Sequence, residues 1–98
     1  PLATEKALAI GRKPLDISIR DQKSCWGSCS SAGRLSFNWR LIMAPHHVLD
    51  YVVAHESAHL AEMNHSPEFW AIVARLTADI GSARKWLRHH GSTLHRYG

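Results

Sequence analysis

The stretch His55-Glu56-Ser57-Ala58-His59 decides how this sequence is read, and a further histidine, His65, follows it. No glycine or proline occurs from His46 to Met63. Apolar residues recur there at helical spacing: Leu49, Val52, Val53, Leu60 and Met63. We therefore predict a helix over His46–Met63, ended by Asn64 in a left-handed conformation. Because residues four apart share a helix face, His55 and His59 should lie side by side.

Two imidazoles on one helix face, with a carboxylate next to the first, are typical of zinc hydrolases. A catalytic zinc site takes three protein ligands and leaves one position for water. We expect His55, His59 and His65 to be the three ligands, since the chain can turn back toward the metal just beyond the helix. The alternatives for the third ligand are Glu62, Glu68 and His95.

Glu56 is the predicted catalytic residue. A zinc ion lowers the pKa of its bound water toward about 7, and a neighbouring carboxylate can then take the proton and pass it to the leaving group. Carboxylates that could orient the imidazoles are Asp50, Glu62 and Asp79. Candidate hydrogen-bond donors to the oxyanion of the tetrahedral intermediate are Tyr51 and the tail His95-Arg96-Tyr97.

The rest of the chain predicts an α+β domain in the order helix, three strands, three helices. The first helix spans Ala3–Ile10 and ends at Gly11. Period-2 alternation marks strands at Leu15–Arg20 and Arg34–Leu41, with Ser24–Ser28 between them, and favours a small, mostly antiparallel sheet in a meander. Ser66-Pro67-Glu68 should start a helix that runs to Ile80 and is ended by Gly81, and a last helix should reach His90.

Size and composition limit the possible classes of protein. The chain has 98 residues, which suits one domain over residues 1–98, and its start at Pro1 is expected of a fragment of a longer protein. No apolar run approaches the roughly 20 residues of a membrane span. The cysteines, Cys25 and Cys29, are too few for a disulfide framework and favour the cytoplasm. The net charge is +4 and no acidic residue follows Asp79, so a nucleic-acid partner stays possible.

Several separate motifs, in order, make the match broader than H-E-x-x-H. They are Trp26–Ser30, Gly33–Leu41, Val52–Leu60 and Asn64–Trp70. Over about residues 15 to 90 the chain resembles the YgjP-like metallopeptidase family, which is similar to SprT-like and other minimal zincins. The resemblance implies a zincin-like fold, Zn²⁺ at His55, His59 and His65, and Glu56 as catalytic acid and base. It also suggests that Leu35–Arg40, with Asn38 near the cleft, holds an extended substrate; the alternative is that Asn38 is a solvent-facing strand residue.

The expected function is therefore a zinc metallopeptidase acting on a peptide or protein. Two alternatives are a metal-dependent hydrolase of a phosphate-bearing substrate and a nucleic-acid-associated module with a structural metal. A structural site would normally be closed by a fourth ligand, so the open position and Glu56 argue for catalysis.

Overall fold

Four α-helices and a three-stranded sheet make up the described part of the chain, residues 2–21 and 26–90 of a computed structural model. In chain order the elements are α1 (Leu2–Ala9), β1 (Asp16–Arg20), β2 (Gly27–Cys29), β3 (Arg34–Asn38), a 3-10 helix (Trp39–Met43), α2 (His46–Ala58), α3 (Pro67–Leu76) and α4 (Ile80–His90). The predicted α+β class is confirmed. None of these helices is both long enough and apolar enough to cross a lipid bilayer.

The sheet has the order β1-β3-β2, so the predicted meander is wrong. β2 pairs antiparallel with β3, but β1 pairs parallel with it over Asp16–Arg20, so the sheet is mixed rather than mostly antiparallel. The short turn at Ser30–Gly33 makes the β2–β3 hairpin, and Gly33 adopts the positive φ (92°) that this turn requires. The longer connection between β1 and β2 lets β1 pair on the far side of β3.

Strand β3 is shorter than predicted because Asn38 turns the chain. The Asn38 side chain accepts a hydrogen bond from the Arg40 backbone N–H at 3.0 Å, and the 3-10 helix begins at the next residue. Local capping by asparagine competes with strand pairing in this way. Trp39 is therefore exposed rather than part of the buried strand face, while Leu41 is buried from the 3-10 helix.

Helix α2 lies at the centre of the fold and contacts α1, α3, α4, β2 and β3. Every residue from Tyr51 to His59 is buried. A helix covered on all sides is a core helix rather than a surface one. Leu35, Phe37, Phe69 and Val73 belong to the same apolar cluster as its Val48 and Val52.

The regular part of α2 ends at Ala58, five residues before the predicted end at Met63. Leu60 N–H then donates to Ser57 O and Ala61 N–H to Ala58 O, both at 3.0 Å, which is the tighter 3-10 pattern. Asn64 is not in the left-handed conformation expected of it. Among the described non-glycine residues only Asp79 has positive φ.

The predicted start of α3 is correct, but the predicted boundary between α3 and α4 is wrong. Ser66 caps α3 as expected, since its Oγ accepts from Phe69 N–H at 3.2 Å and Pro67 occupies the first turn. The helix stops at Leu76, however, and Gly81 lies inside α4 instead of ending α3. The left-handed Asp79 makes the break between them.

A partly buried ion pair fastens α1 to the helical layer. Lys6 Nζ lies 3.0 Å from Asp50 Oδ1 of α2 and also donates to the Leu76 carbonyl at the end of α3 at 2.5 Å. The other oxygen of Asp50 accepts a hydrogen bond from the Thr77 hydroxyl. One lysine therefore connects α1 with α2 and α3.

Strand β2 approaches α2 most closely at Gly27. A Cβ placed on Gly27 would lie 3.0 Å from Glu56 Cγ, 3.2 Å from Val52 Cγ1 and 3.3 Å from Phe37 Cδ1. Such distances leave room for a hydrogen only. Gly27 is required by this close approach rather than by its backbone angles.

We expect Gly27→Ala to lower the free energy of unfolding by about 1–3 kcal/mol, because it overpacks a buried contact. The matched control is Gly81→Ala, where the added methyl group meets nothing within 4 Å inside a helix. That change should be neutral or stabilising by up to about 1 kcal/mol. Urea unfolding followed by circular dichroism measures both, and equal stability of the two variants would contradict the assignment.

Candidate metal centre

The structure brings His55, His59 and His65 together. His55 lies in the last turn of α2, His59 is its C-terminal cap, and His65 precedes the Ser66 cap of α3. One ligand nitrogen from each lies within 4.8 Å of the others. Within residues 2–21 and 26–90 this is the one group of potential ligand side chains close enough to hold a metal ion.

The three imidazoles form a nearly equal-sided cluster. Their ring centroids are separated by 5.1 Å (His55–His59), 5.2 Å (His55–His65) and 5.0 Å (His59–His65). His55 and His59 are buried, whereas His65 is exposed. The cluster is therefore open to solvent from the side of His65.

A backbone carbonyl fixes the tautomer of His59. Its Nδ1 lies 3.0 Å from the Glu62 carbonyl oxygen, which can only accept, so Nδ1 carries the proton. The lone pair of His59 is then on Nε2, the nitrogen that would bind a metal, which is the usual arrangement at histidine ligands. Glu62 thus acts through its main chain and not through the carboxylate considered in the sequence.

Two aromatic residues of α3 pack against the imidazoles. Phe69 is fully buried and stacks on His59 with a centroid separation of 4.4 Å, while Trp70 lies 5.7 Å from the His55 ring. From the sequence, both are predicted to lie in the helix that starts at Ser66, and neither is given a part in the metal site. Their position in the first turn after His65 was the available signal, because it brings that turn beside the histidines.

Glu56 is buried beside the cluster with incomplete hydrogen bonding. Its Oε2 lies 3.2 Å from His55 Nδ1, and its Oε1 is buried without a partner in the described structure. Burial raises the pKa of Glu56 to about 8, although the charges of His59 and His65 oppose this rise. A buried polar atom without a partner is costly, and such atoms are characteristic of functional sites.

The electrostatics of His55 favour its neutral form. Burial, together with the positive charges of His65 and Arg84, lowers the pKa of His55 to about 3. The contact between His55 and Glu56 is therefore a hydrogen bond rather than an ion pair. Neutral imidazole is also the form that binds metal ions. Sequence analysis did not select Arg84, whose guanidinium lies over the Trp70 ring, 5.1 Å from its centroid.

Cys29 of β2 belongs to the same neighbourhood. Burial and the negative charge of Glu56 raise the pKa of the Cys29 thiol to about 11. The thiol thus stays protonated at neutral pH and is a poor nucleophile there. Cys29 is thus a partly buried thiol with no nucleophilic role at neutral pH. Cys25 lies outside the described residues.

Other residues considered in the sequence lie away from the histidine cluster or face the core. Asp50 is occupied by Lys6 and Thr77, and Asp79 is exposed at the start of α4. Tyr51 is fully buried, edge-on to His55 at 5.8 Å, so its hydroxyl is not exposed to solvent. His95-Arg96-Tyr97 lies outside the described residues.

The expected substrate strand is also corrected. β3 is the central strand, so both of its edges are already paired and Leu35–Arg40 cannot take an extended peptide. Asn38 is buried and caps the 3-10 helix, which makes it neither a cleft residue nor a solvent-facing one. Among the described strands, β2 is the edge strand that approaches Glu56.

The fold is similar to one solved structure of a peptidase precursor. It is the crystal structure of the metallopeptidase zymogen of Pyrococcus abyssi abylysin, with a TM-score of 0.76 and 18% sequence identity over 96% of each chain. At that identity the likeness concerns the fold alone. No curated protein matches this chain.

A family model provides the stronger comparison. The model for the YgjP-like metallopeptidase domain matches residues 1–90, which include every described element and the whole histidine cluster. The resemblance noted in the sequence motifs is thereby confirmed. This chain belongs to the YgjP-like metallopeptidase family, whose members are metal-dependent peptidases.

Proposed function

We propose that the chain is a zinc peptidase in which His55, His59 and His65 hold the metal and Glu56 is the catalytic acid and base. The observation that carries this proposal is the combination of three converging histidine nitrogens with a buried carboxyl oxygen that has no partner. Neutral nitrogen donors in a set of three suit zinc, with a position left for water. A structural zinc site would normally have a fourth ligand.

The protein's own groups prepare this site in three ways. The Glu62 carbonyl holds His59 in the tautomer that leaves Nε2 available. Phe69 fixes the ring plane by stacking, and burial keeps His55 neutral. A bound zinc ion would supply a Lewis acid that polarises the scissile carbonyl and acidifies water.

Glu56 is suited to move the proton during hydrolysis. Its carboxyl group is held on one side by His55 Nδ1, which leaves Oε1 for a water molecule. With its pKa raised to about 8, Glu56 is mainly protonated at neutral pH, and the positive charge of a bound zinc ion would favour the ionised form, which would accept a proton from the attacking water. The same group can return that proton to the departing amine. Close contact with Gly27 restricts the position of the carboxylate.

We further propose that the free edge of β2 binds the substrate main chain. β2 is the second edge strand of the sheet, and Gly27 brings its backbone against Glu56. An extended peptide can add to such an edge through main-chain hydrogen bonds. This would place a peptide bond near the proposed base, which favours a peptide over the phosphate-bearing substrates considered above.

Glu56→Gln should lower kcat for peptide hydrolysis by about 10²–10⁴-fold, the usual contribution of a general base. Bound zinc should be retained, because the amide keeps the shape of the side chain. The matched control is Glu5→Gln, an exposed carboxylate of α1 that should leave both quantities unchanged. Peptide and phosphoester assays with metal analysis by mass spectrometry test this. Full activity in the Glu56→Gln variant would refute the catalytic role.

His65→Ala should weaken zinc binding by more than about 100-fold, because even residues that only orient ligands account for 10–100-fold. Zinc should raise the melting temperature of the wild type but not that of His65→Ala, since a ligand stabilises only a folded state that binds it. His46→Ala is the control, as this histidine is exposed at the opposite end of α2. If zinc raised the melting temperature of both variants equally, the third ligand would have to be sought at Glu62, Glu68 or His95.

A further inference from the structure

Strand β1 is an open edge of the sheet. Its described partner is β3 alone, and it lies at the opposite edge from β2, away from the proposed catalytic residue. Asp16, Ile19 and Arg20 are exposed, with 63% of Ile19 accessible. An exposed edge strand carries unpaired main-chain groups that can pair with another strand.

The outward main-chain groups of β1 belong to odd-numbered residues. β3 directs its even-numbered residues toward β2, since Asn38 N–H donates to Trp26 O at 2.9 Å and Ser30 N–H donates to Arg34 O at 3.0 Å, so its odd-numbered residues face β1. In the parallel register these residues bond to the even-numbered residues of β1, and the N–H and C=O groups of Ile17 and Ile19 therefore point away from the sheet. In an antiparallel pair centred on Ser18, Ile17 and Ile19 exchange hydrogen bonds with the strand laid along the edge.

The side chains on this strand have a two-fold symmetric charge pattern. In Asp16-Ile17-Ser18-Ile19-Arg20, the acid and the base stand at equal distances from Ser18. Two copies paired antiparallel about Ser18 would set Asp16 of each copy opposite Arg20 of the other. Among the described residues neither Asp16 nor Arg20 has an ion-pair partner within the chain. Centring the pair on Asp16 or Arg20 would instead oppose like charges, which is unfavourable.

The other face of the same strand is apolar and continues into a recess. Ile17 and Ile19 line it together with Trp39 and Ile42 of the 3-10 helix. Trp39 is 41% exposed and Ile42 is 80% exposed, unusually high for large apolar side chains in one place. In the antiparallel pair, Ile17 of one copy faces Ile19 of the other, so the apolar row continues across the axis.

We propose that this chain forms a two-fold symmetric homodimer through β1, which joins the two three-stranded sheets into one. Stable interfaces bury about 800 Å² on each partner, more than a five-residue strand supplies. The exposed apolar side chains of Ile19, Trp39 and Ile42 would extend the interface beyond the strand. A second copy fits better than an unrelated peptide, because the charge pattern is complementary to itself.

Sedimentation velocity of the purified chain over a range of concentrations tests the proposal. The wild type should approach twice the monomer mass of 11.0 kDa. Asp16→Arg and Arg20→Asp should each weaken dimerisation by roughly tenfold or more, since two facing pairs change from attraction to repulsion. Lys85→Glu, an exposed change of charge on α4, should have no effect.

Two further mixtures separate a specific pairing from a loss of folding. The double variant Asp16→Arg/Arg20→Asp should dimerise again, because each facing pair is restored with its charges exchanged. Asp16→Arg mixed with Arg20→Asp should form a heterodimer, while each alone stays mainly monomeric. Circular dichroism should be the same for all variants. A wild type that stays monomeric at millimolar concentration would overturn the proposal, and so would a dimer insensitive to Asp16→Arg or an absence of association in the mixture.

Discussion

The burial of α2 on every side over its last turns is the constraint on which the rest of the structure depends. Apolar residues of that segment bury themselves against the sheet and three helices, and His55 and Glu56 are drawn inside with them. Polar groups in such a place must find partners or lose stability. One carboxyl oxygen of Glu56 has no partner in the described structure. Burial raises the pKa of Glu56 and lowers the pKa of His55, which favours the neutral form of each residue. The helix that gives the domain its core therefore also creates its reactive centre.

The turn of the chain after α2 completes the histidine cluster. A straight helix would carry the residues after His59 away from it, whereas the tight turns after Ala58 and the Ser66 cap bring His65 back. The aromatic side chains that follow then pack against the imidazoles, so that the position of the rings is determined by α3 as well as by α2. The abylysin zymogen shares this fold at 18% identity, which is expected when architecture rather than individual core residues is retained.

Local signals in the sequence predicted the elements and the family, but not the pairing of the strands. The capped start of α3 at Ser66 and the left-handed Gly11 were correct because each depends on a few adjacent atoms. The position of β1 was missed because parallel pairing depends on contacts distant in the chain. Arg84 and Gly27 were not selected, since the closeness of Arg84 to His55 and of Gly27 to Glu56 arises only when elements pack. Zinc, the roles of the four site residues and the cytoplasmic location stay predictions.

Lys6, which joins α1 to two other helices, determines how proteolysis would affect this domain. Lys6 is held by Asp50 and by a main-chain carbonyl at the end of α3, so α1 is part of the folded unit rather than a leader attached to it. Cleavage in the exposed stretch between α1 and β1 would leave α1 held by these contacts and by the packing of Ala3 and Ala7 in the core. If α1 dissociated, the partly buried Asp50 carboxylate would remain beside Thr77 without its cation partner. Proteolysis at that site would therefore act on the helix that carries the histidines, even though the cut lies in a different part of the chain.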